Sequence, residues 1–221
     1  MINRLELKTL AKEQIKGNIG ILFVIMLIAG GISIAATYIP IIGFFATFVL
    51  TPAFELSIMM IYLDMTRGIK PVVSRVFDGF YDLWSVVKLY LISGLFIFLW
   101  SLLFVIPGII KSFSYSMAPF ILAENKGMPA LEAIRRSKAM MEGHKTDAFV
   151  LYLSFIGWML LTYVTFGLSL IWVGPYIIAT YTNFYNRIKR EAPSAPEAAS
   201  VVVEEPIVID AEVITPEEDT E

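Results

Sequence analysis

Long uncharged runs alternate with short charged segments along most of the chain, and this alternation determines the predicted elements. Between Lys16 and Glu55 there are 38 consecutive uncharged residues. A helix that crosses a bilayer needs about 20 mainly apolar residues, so this run is too long for one crossing and long enough for most of two. The stretch from Tyr38 to Gly43 contains Pro40, and a proline followed by a glycine is typical of a break between two helices.

The same arrangement occurs twice more along the chain. One apolar run ends at Pro107 and Gly108, another ends near Gly167, and each is followed by a second apolar segment. We therefore predict an all-α fold, a polytopic membrane protein with six transmembrane helices in three tight hairpins, preceded by short amphipathic cytoplasmic helices. The predicted spans are residues 18–38, 41–63, 89–106, 109–123, 148–166 and 168–186.

The positions of basic residues predict how this bundle is oriented. Sixteen of the 17 Lys and Arg residues lie before the first span, in the loops 64–88 and 124–147, or after the last span. The remaining one, Lys111, lies close to the second hairpin turn. Because Lys and Arg near span ends favour the cytoplasm, we expect a multi-pass protein of the plasma membrane with both termini in the cytoplasm.

Composition agrees with a membrane protein and narrows its chemistry. Hydrophobic residues make up 57% of the chain and charged residues 17%, against about 25% charged in ordinary soluble domains. The chain has no cysteine, which excludes disulfides, thiolate metal sites and a cysteine nucleophile. With a single histidine and no recognisable catalytic constellation, we predict no metal site, no cofactor and no enzymatic activity.

The net charge of −3 combines a basic body with an acidic tail. Residues 191–221 carry ten acidic side chains and no basic one, which leaves residues 1–190 with a net charge of +7. We predict three parts: an amphipathic cytoplasmic N-terminal helix (1–17), a six-helix membrane domain (18–188) and a disordered acidic cytoplasmic tail (189–221). The tail either solvates this end of the protein or binds a protein partner.

Similar features recur at intervals that suggest an internal repeat. Gly17, Gly79 and Gly143 each follow a short amphipathic segment and precede a span, at separations of 62 and 64 residues. A fixed period of this size indicates duplicated units, although any series of hairpins also needs turns at similar intervals. The predicted helix breaks and turns are Pro40, Pro52, Pro107, Gly108, Pro119 and Pro175.

Several short runs resemble one family in sequence order. The longer runs are LLFVIPGII (102–110), YSM (115–117), ALEAIRRSK (130–138), MEGHK (141–145) and LSFIGW (153–158), with shorter ones at 78–80 and 172–176. These runs resemble the domain-of-unknown-function 975 family of bacterial integral membrane proteins. The resemblance covers roughly residues 3–188 and implies a membrane protein of uncharacterised function. It supplies no catalytic residues, and the acidic tail lies outside it.

Ionisable residues within predicted spans are the candidates for function, because a charge inside a membrane is costly and usually faces a cavity or a partner. Glu55 is the strongest, as a proton or cation site or as a buried hydrogen-bonded carboxyl. Its candidate cations are Lys88, at the entry to the third span, and Lys111, which we expect to reach the outer headgroups instead. The predicted intramembrane polar site comprises Glu55, Lys88, Lys111, Ser112, Tyr115 and Ser116.

Two functions compete for this sequence. The first is a non-enzymatic protein of membrane or envelope upkeep that acts through lipid or partner contacts. Its expected partners are the lipid bilayer, anionic lipids at the cytoplasmic face and a protein partner for the acidic tail, with no nucleic acid. The alternative is a small-solute or ion transporter or channel that uses Glu55 and the polar face of the fourth segment. That polar face is equally suited to helix packing.

Overall fold

The computed structural model is entirely helical over the residues it describes, which are 2–39, 42–103 and 105–191. Of the acidic tail predicted at 189–221, residues 189–191 are helical and the rest lies outside the described residues. The helices are α1 (Arg4–Ile15), α2 (Ile19–Thr37), α3 (Ile42–Thr66), a 3-10 helix (Val73–Asp82), α4 (Leu83–Leu103), α5 (Val105–Tyr115), α6 (Ala118–Glu124), α7 (Ala130–Met140), α8 (Lys145–Leu153), α9 (Ile156–Val164) and α10 (Leu170–Glu191).

Five stretches are long and apolar enough to cross a membrane, which confirms the helical, membrane-compatible class of the fold. They are Ile19–Thr37, Phe48–Thr66, Val73–Leu102, Ile106–Glu124 and Lys145–Val164. The predicted sixth span, 168–186, begins two residues before α10 and is not among the five. The second half of α10 contains Asn183, Asn186 and several basic residues, which lower its mean hydropathy.

The core is formed by α3, α6 and α10, which belong to the second halves of the three predicted hairpins. Most residues of α6 are buried, and so is one side of α3 and of α10. Phe120 of α6 stacks on Tyr185 of α10 with ring centroids 5.3 Å apart. The first helices are far more exposed: α9 has no buried residue, and α2 and α4 present large apolar side chains outward. An apolar exterior around a packed centre is what a bilayer favours.

Each of the three helices that precede a predicted hairpin packs on the second helix of another, and we refer to these three helices (α1, the 3-10 helix and α7) as the ring of preceding helices. The 3-10 helix packs on α3, the second helix of the first hairpin, and α7 packs on α6, in the second hairpin. The α1 helix packs on α10, in the third hairpin. Each therefore contacts the second helix of the preceding hairpin, and α1 completes the cycle by contacting the last. The order of these contacts follows the order of the predicted units, and the internal repeat itself stays a prediction.

The junction glycines of the predicted repeat have two different structural roles. Gly17 and Gly143 have φ angles of +82° and +83° and follow the ends of α1 and α7, a conformation that favours glycine. Gly79 lies inside the 3-10 helix instead, before α4 begins at Leu83. Its backbone N–H donates to the Ser57 hydroxyl at 2.7 Å. Here glycine allows two backbones to approach closely, as it also does in strands and membrane helices.

Helix boundaries in the second hairpin differ from those predicted. Pro107 and Gly108 lie in the first turn of α5 rather than between two helices. Proline is tolerated in the first helical turn because the N–H groups there have no intrahelical acceptor. A Cβ atom on Gly108 would collide with Ser101 of α4, so this glycine permits close packing within the hairpin.

The other predicted prolines have mixed outcomes as helix breaks. Pro119 comes next to the first residue of α6, directly after the interruption that separates α5 from α6. Pro52 and Pro175 lie inside the continuous helices α3 and α10. Pro40 lies outside the described residues.

A further interruption, which the sequence did not reveal, separates α8 from α9 at Ser154 and Phe155. The Lys8 ammonium of α1 donates to the Ser154 carbonyl oxygen at 3.3 Å and lies 4.4 Å from the centre of the Phe155 ring. Partial burial lowers the pKa of Lys8, and the neighbouring charges of Arg4 and Lys12 lower it further. The freed carbonyl at the interruption thus receives a charged donor from the first helix of the chain.

Candidate functional site

Glu55 lies near the middle of α3, 13 residues after its first residue, or about 20 Å along the helix at 1.5 Å per residue. Its neighbours Phe54 and Leu56 are buried in the core, whereas the Glu55 side chain is exposed and faces outward from it. Two recesses meet at this carboxyl group. Glu55 is therefore an ionisable residue at mid-helix that borders open space rather than dry packing.

The first of these, which we name the Glu55 recess, lies between α3, α4 and α5. It has a volume of about 370 Å³, within the range of small-molecule sites. The structure brings four of the predicted site residues together here: Glu55, Ser112, Tyr115 and Ser116. It adds Tyr90 and Ser93 of α4, which the sequence analysis did not single out.

Two serine hydroxyl groups of the Glu55 recess donate their hydrogens to backbone carbonyl groups. The Ser112 hydroxyl donates to the Ile109 carbonyl oxygen at 2.7 Å, and the Ser116 hydroxyl donates to the Phe113 carbonyl oxygen at 2.8 Å. Their oxygen lone pairs remain available to a ligand. The Tyr90 hydroxyl is buried without a well-formed hydrogen bond and interacts with Glu55.

A second recess lies on the other side of Glu55, between α2, α3 and α10. Its volume is about 360 Å³ and its lining is mainly apolar, with Met26, Phe54 and Met59 among the larger side chains. Met59 also lines the Glu55 recess and a third, wholly apolar cavity of about 290 Å³ between α3, α6 and the α8–α10 hairpin. Glu55 therefore lies between one mainly apolar recess and one recess with several hydroxyl groups, and Met59 connects both to the third cavity.

Neither predicted lysine lines these recesses. The Lys88 ammonium lies over the Trp84 ring, 4.9 Å from its centre, and the Lys111 ammonium lies over the Trp100 ring at 4.7 Å. Cation–π contacts of this kind satisfy an ammonium group near a membrane interface. The depth of Glu55 within a membrane span can be predicted from its position in the sequence. Which side chains of α4 face α3 cannot be predicted in this way. That choice depends on how the helices pack.

A second polar cluster lies where α3, α6 and α10 end, together with the ring of preceding helices. We name this the ionic chain, because acids and bases alternate along it. Arg75 of the 3-10 helix pairs with Asp78 and with Asp64 of α3, and Asp64 also pairs with Arg67. The members of the chain, in order, are Asp78, Arg75, Asp64, Arg67, Glu124 and Lys189.

Glu124 is the central member of the ionic chain. Its carboxylate lies 2.7 Å from the Arg67 guanidinium and 2.5 Å from the Lys189 ammonium, and it accepts a hydrogen bond from the Tyr185 hydroxyl at 2.7 Å. Its side chain is only 8% exposed, whereas those of Arg67 and Lys189 are about half exposed. One carboxylate thereby links all three hairpins.

Beside the ionic chain, a groove of about 580 Å³ lies between α1 and α10. Gln14 of α1 and Asn183 of α10 exchange two hydrogen bonds of 3.0 Å in its wall. Arg67 and Lys189 also line it, but both are already paired with Glu124. The groove therefore offers less free positive charge than its composition suggests.

Comparison with known proteins identifies a family whose function is not known. Residues 1–111 and 102–192 match the model of a family described as Protein of unknown function (DUF975). The two matches together cover the whole helical part of the chain and leave out most of the acidic tail. No curated protein and no solved structure matches the chain.

Proposed function

The chain belongs to the DUF975 family, and we propose that it is a non-enzymatic integral protein of the bacterial plasma membrane that supports the membrane or envelope through lipid or partner contacts. In this proposal six helices span the bilayer, with α10 as the sixth, and both termini lie in the cytoplasm. The distribution of basic residues supports that orientation. The acidic tail is then placed to meet a cytoplasmic protein partner.

The observation that supports lipid contact best is the exposed positive charge on the ring of preceding helices. Lys16 after α1, and Arg135 and Lys138 on α7, are exposed to solvent. Each Lys or Arg near an anionic leaflet contributes about 1 kcal/mol of attraction. Three such residues next to an apolar helical exterior favour anionic lipid at this end of the protein.

A melting experiment in lipid nanodiscs tests this proposal. We expect phosphatidylglycerol to raise the melting temperature relative to phosphatidylcholine alone, and high salt to reduce the gain because it screens exposed charges. The triple variant Lys16→Gln, Arg135→Gln, Lys138→Gln should lose most of the gain. Lys111→Gln, close to the second hairpin turn, is the matched control and should keep it. Equal gains in the triple variant and the wild type would contradict the proposal.

A second candidate function is transport of a small solute or ion through the Glu55 recess. The specific observation that favours it is an exposed carboxyl group at mid-helix between two recesses. An ionisable group within a membrane span is costly, and residues of this kind usually mark a pathway for a substrate, an ion or a proton.

Proteoliposomes with a trapped pH-sensitive dye test the transport candidate. Under an imposed potassium diffusion potential, the wild type should carry protons and Glu55→Gln should not. Glu142→Gln, an exposed glutamate after α7, is the control and should behave as the wild type. Equal proton flux in the wild type and Glu55→Gln would exclude a proton-carrying role for Glu55.

A further inference from the structure

The space around Glu55 has the charge and shape of a site for a particular class of ligand. Among the residues that line its two recesses, none is a lysine, arginine or histidine. A carboxylate in apolar surroundings without a countercharge is costly. A ligand that carries a positive charge would compensate it.

The hydrogen-bonding groups of the Glu55 recess point to the same class. Ser112 and Ser116 use their hydrogens on backbone carbonyls, so they present acceptors to the recess. The buried Tyr90 hydroxyl interacts with the Glu55 carboxyl group, and its hydrogen is directed to that group rather than to a ligand. An anion would be repelled by the carboxylate and is disfavoured.

Size and lining exclude a bare metal ion as the natural occupant. Ca²⁺ needs six to eight oxygen ligands at about 2.3–2.6 Å, whereas this recess holds one carboxylate in about 370 Å³. Most of the remaining lining is apolar, including Met59 and Ile97, with the Tyr115 ring beside them. Methionine and aromatic side chains adapt to apolar groups of varied shape.

We propose that the Glu55 recess binds an organic cation with a large apolar body, such as a lipophilic ammonium or phosphonium ion. The cationic centre lies against the Glu55 carboxylate, and the apolar groups lie against Met59 and the walls formed by α4 and α5. The inference rests on the site of the second candidate function, but it concerns binding and does not require transport.

Tetraphenylphosphonium and tetraphenylborate test the proposal, because they have nearly the same shape and opposite charge. Saturable binding of radiolabelled tetraphenylphosphonium is measured by equilibrium dialysis on the full chain in phosphatidylcholine nanodiscs, with empty nanodiscs subtracted. We expect saturable binding to the wild type and to Glu142→Gln. In Glu55→Gln the affinity should fall at least tenfold. Tetraphenylborate, measured in separate samples so that the two ions cannot pair, should show no saturable binding to the wild type.

A second variant separates loss of charge from loss of fold. Gly94 lines the recess, and a Cβ atom there would meet nothing within 4 Å. Gly94→Phe should fill the recess and abolish binding while Glu55 stays in place. Gly157→Phe, at a glycine of α9 that does not line the recess and where a Cβ atom would also meet nothing within 4 Å, should bind normally. Melting temperatures of all variants identify any that fail to fold.

Each outcome decides the matter. Unchanged affinity in Glu55→Gln, or no saturable binding to the wild type, would overturn the proposal. Saturable binding of tetraphenylborate with similar affinity would show an apolar site without charge selection, and would also overturn it. Cation binding without proton flux would leave this inference standing and reject proton transport. Proton flux without cation binding would do the reverse.

Discussion

Among single residues, Gly79 is the position with the least room for change. A Cβ atom there would collide with the Ala53 carbonyl oxygen and would press on Ser57 of the facing helix. These atoms belong to the backbone and the first side-chain atoms of a packed helix, so they cannot move aside cheaply. The closeness of the 3-10 helix to α3 therefore depends on this one glycine.

We predict that Gly79→Ala lowers the free energy of unfolding by about 2 kcal/mol or more, the range found for overpacked sites. Gly94→Ala is the matched control: its Cβ meets open space in a helix, where alanine is favoured over glycine by about 0.5–1 kcal/mol. Thermal melting in nanodiscs should thus show opposite changes for the two variants. Similar melting temperatures would argue against the close approach at Gly79.

At the residue scale, only some members of the candidate site could be identified from the sequence. The position of Glu55 within an uncharged run was enough to place it inside a span, and the polar side of 111–119 was readable from helical periodicity. The contribution of Tyr90 was not readable, because an aromatic residue in an apolar helix has no distinctive pattern. Only the packing of α4 on α3 turns it toward the carboxyl group.

At the scale of helices, the most informative contact joins the first helix to the last. Leu7, Ala11 and Ile15 form the buried side of α1, and Asn183 of α10 is buried against it. The Asn183 amide exchanges hydrogen bonds with Gln14 across the interface. A buried amide with a reciprocal partner aligns two helices, because any shift leaves it unsatisfied.

A double-mutant cycle on Gln14→Ala and Asn183→Ala measures this alignment. We expect Asn183→Ala to cost about 1–3 kcal/mol, and the two changes together to cost less than the sum of each. A coupling energy of about 0.5 kcal/mol or more is typical of residues in direct contact. Strict additivity in thermal or denaturant unfolding would mean that the two side chains do not interact in the membrane.

Helix boundaries were the least predictable feature of the elements. A proline predicts the first two turns, but the structural effect of a proline depends on its position in a helix. Pro107 lies in a first turn, and Pro52 lies in a helix interior. The interruption at Ser154 and Phe155 has no proline at all. It depends on Lys8, which is distant in the sequence, to satisfy a freed carbonyl group.

For the whole molecule, the ionic chain connects the three hairpins at one end of the bundle. Glu124 contacts Arg67 of the first hairpin segment and Lys189 of the third. Removing its charge leaves two cations and a tyrosine hydroxyl without their shared acceptor. Because the carboxylate is nearly buried, this loss should exceed that of an ordinary surface pair.

We predict that Glu124→Gln lowers the free energy of unfolding by about 2 kcal/mol, the scale of hydrogen bonds to charged groups. Glu132→Gln is the matched control, since Glu132 pairs only with Arg135 and Arg136 of its own helix among the described residues, and should change stability by less than about 0.5 kcal/mol. Both values come from unfolding in the same detergent. Equal effects would mean that the hairpins are held together without the ionic chain.

Topology is directly testable because the chain contains no cysteine. Phe166, at the third hairpin turn, is fully exposed, and Glu142 lies next to the junction at Gly143. We expect Phe166→Cys to react with a membrane-impermeant maleimide in intact cells, and Glu142→Cys to react only after permeabilisation. Labelling of both from outside, or of neither, would contradict the proposed orientation.

The ring of helices marks the limit of sequence analysis for the molecule as a whole. Local hydropathy was sufficient to predict an all-helical fold with helices able to cross a membrane, because each apolar segment is one continuous run. Which preceding helix packs on which hairpin is a tertiary choice made between residues such as Gln14 and Asn183, which are 169 positions apart. A single sequence shows no periodicity at that range.

The contact between α1 and α10 also has a consequence for biosynthesis. Of the described helices, α1 leaves the ribosome first and its packing partner α10 leaves last, with roughly 155 residues between them. At about 5–20 residues per second, α1 waits about 10–30 s with its apolar side uncovered. During this interval the apolar side of α1 can be buried only against the membrane surface. We therefore expect α1 to bind lipid in nascent chains before it packs on α10.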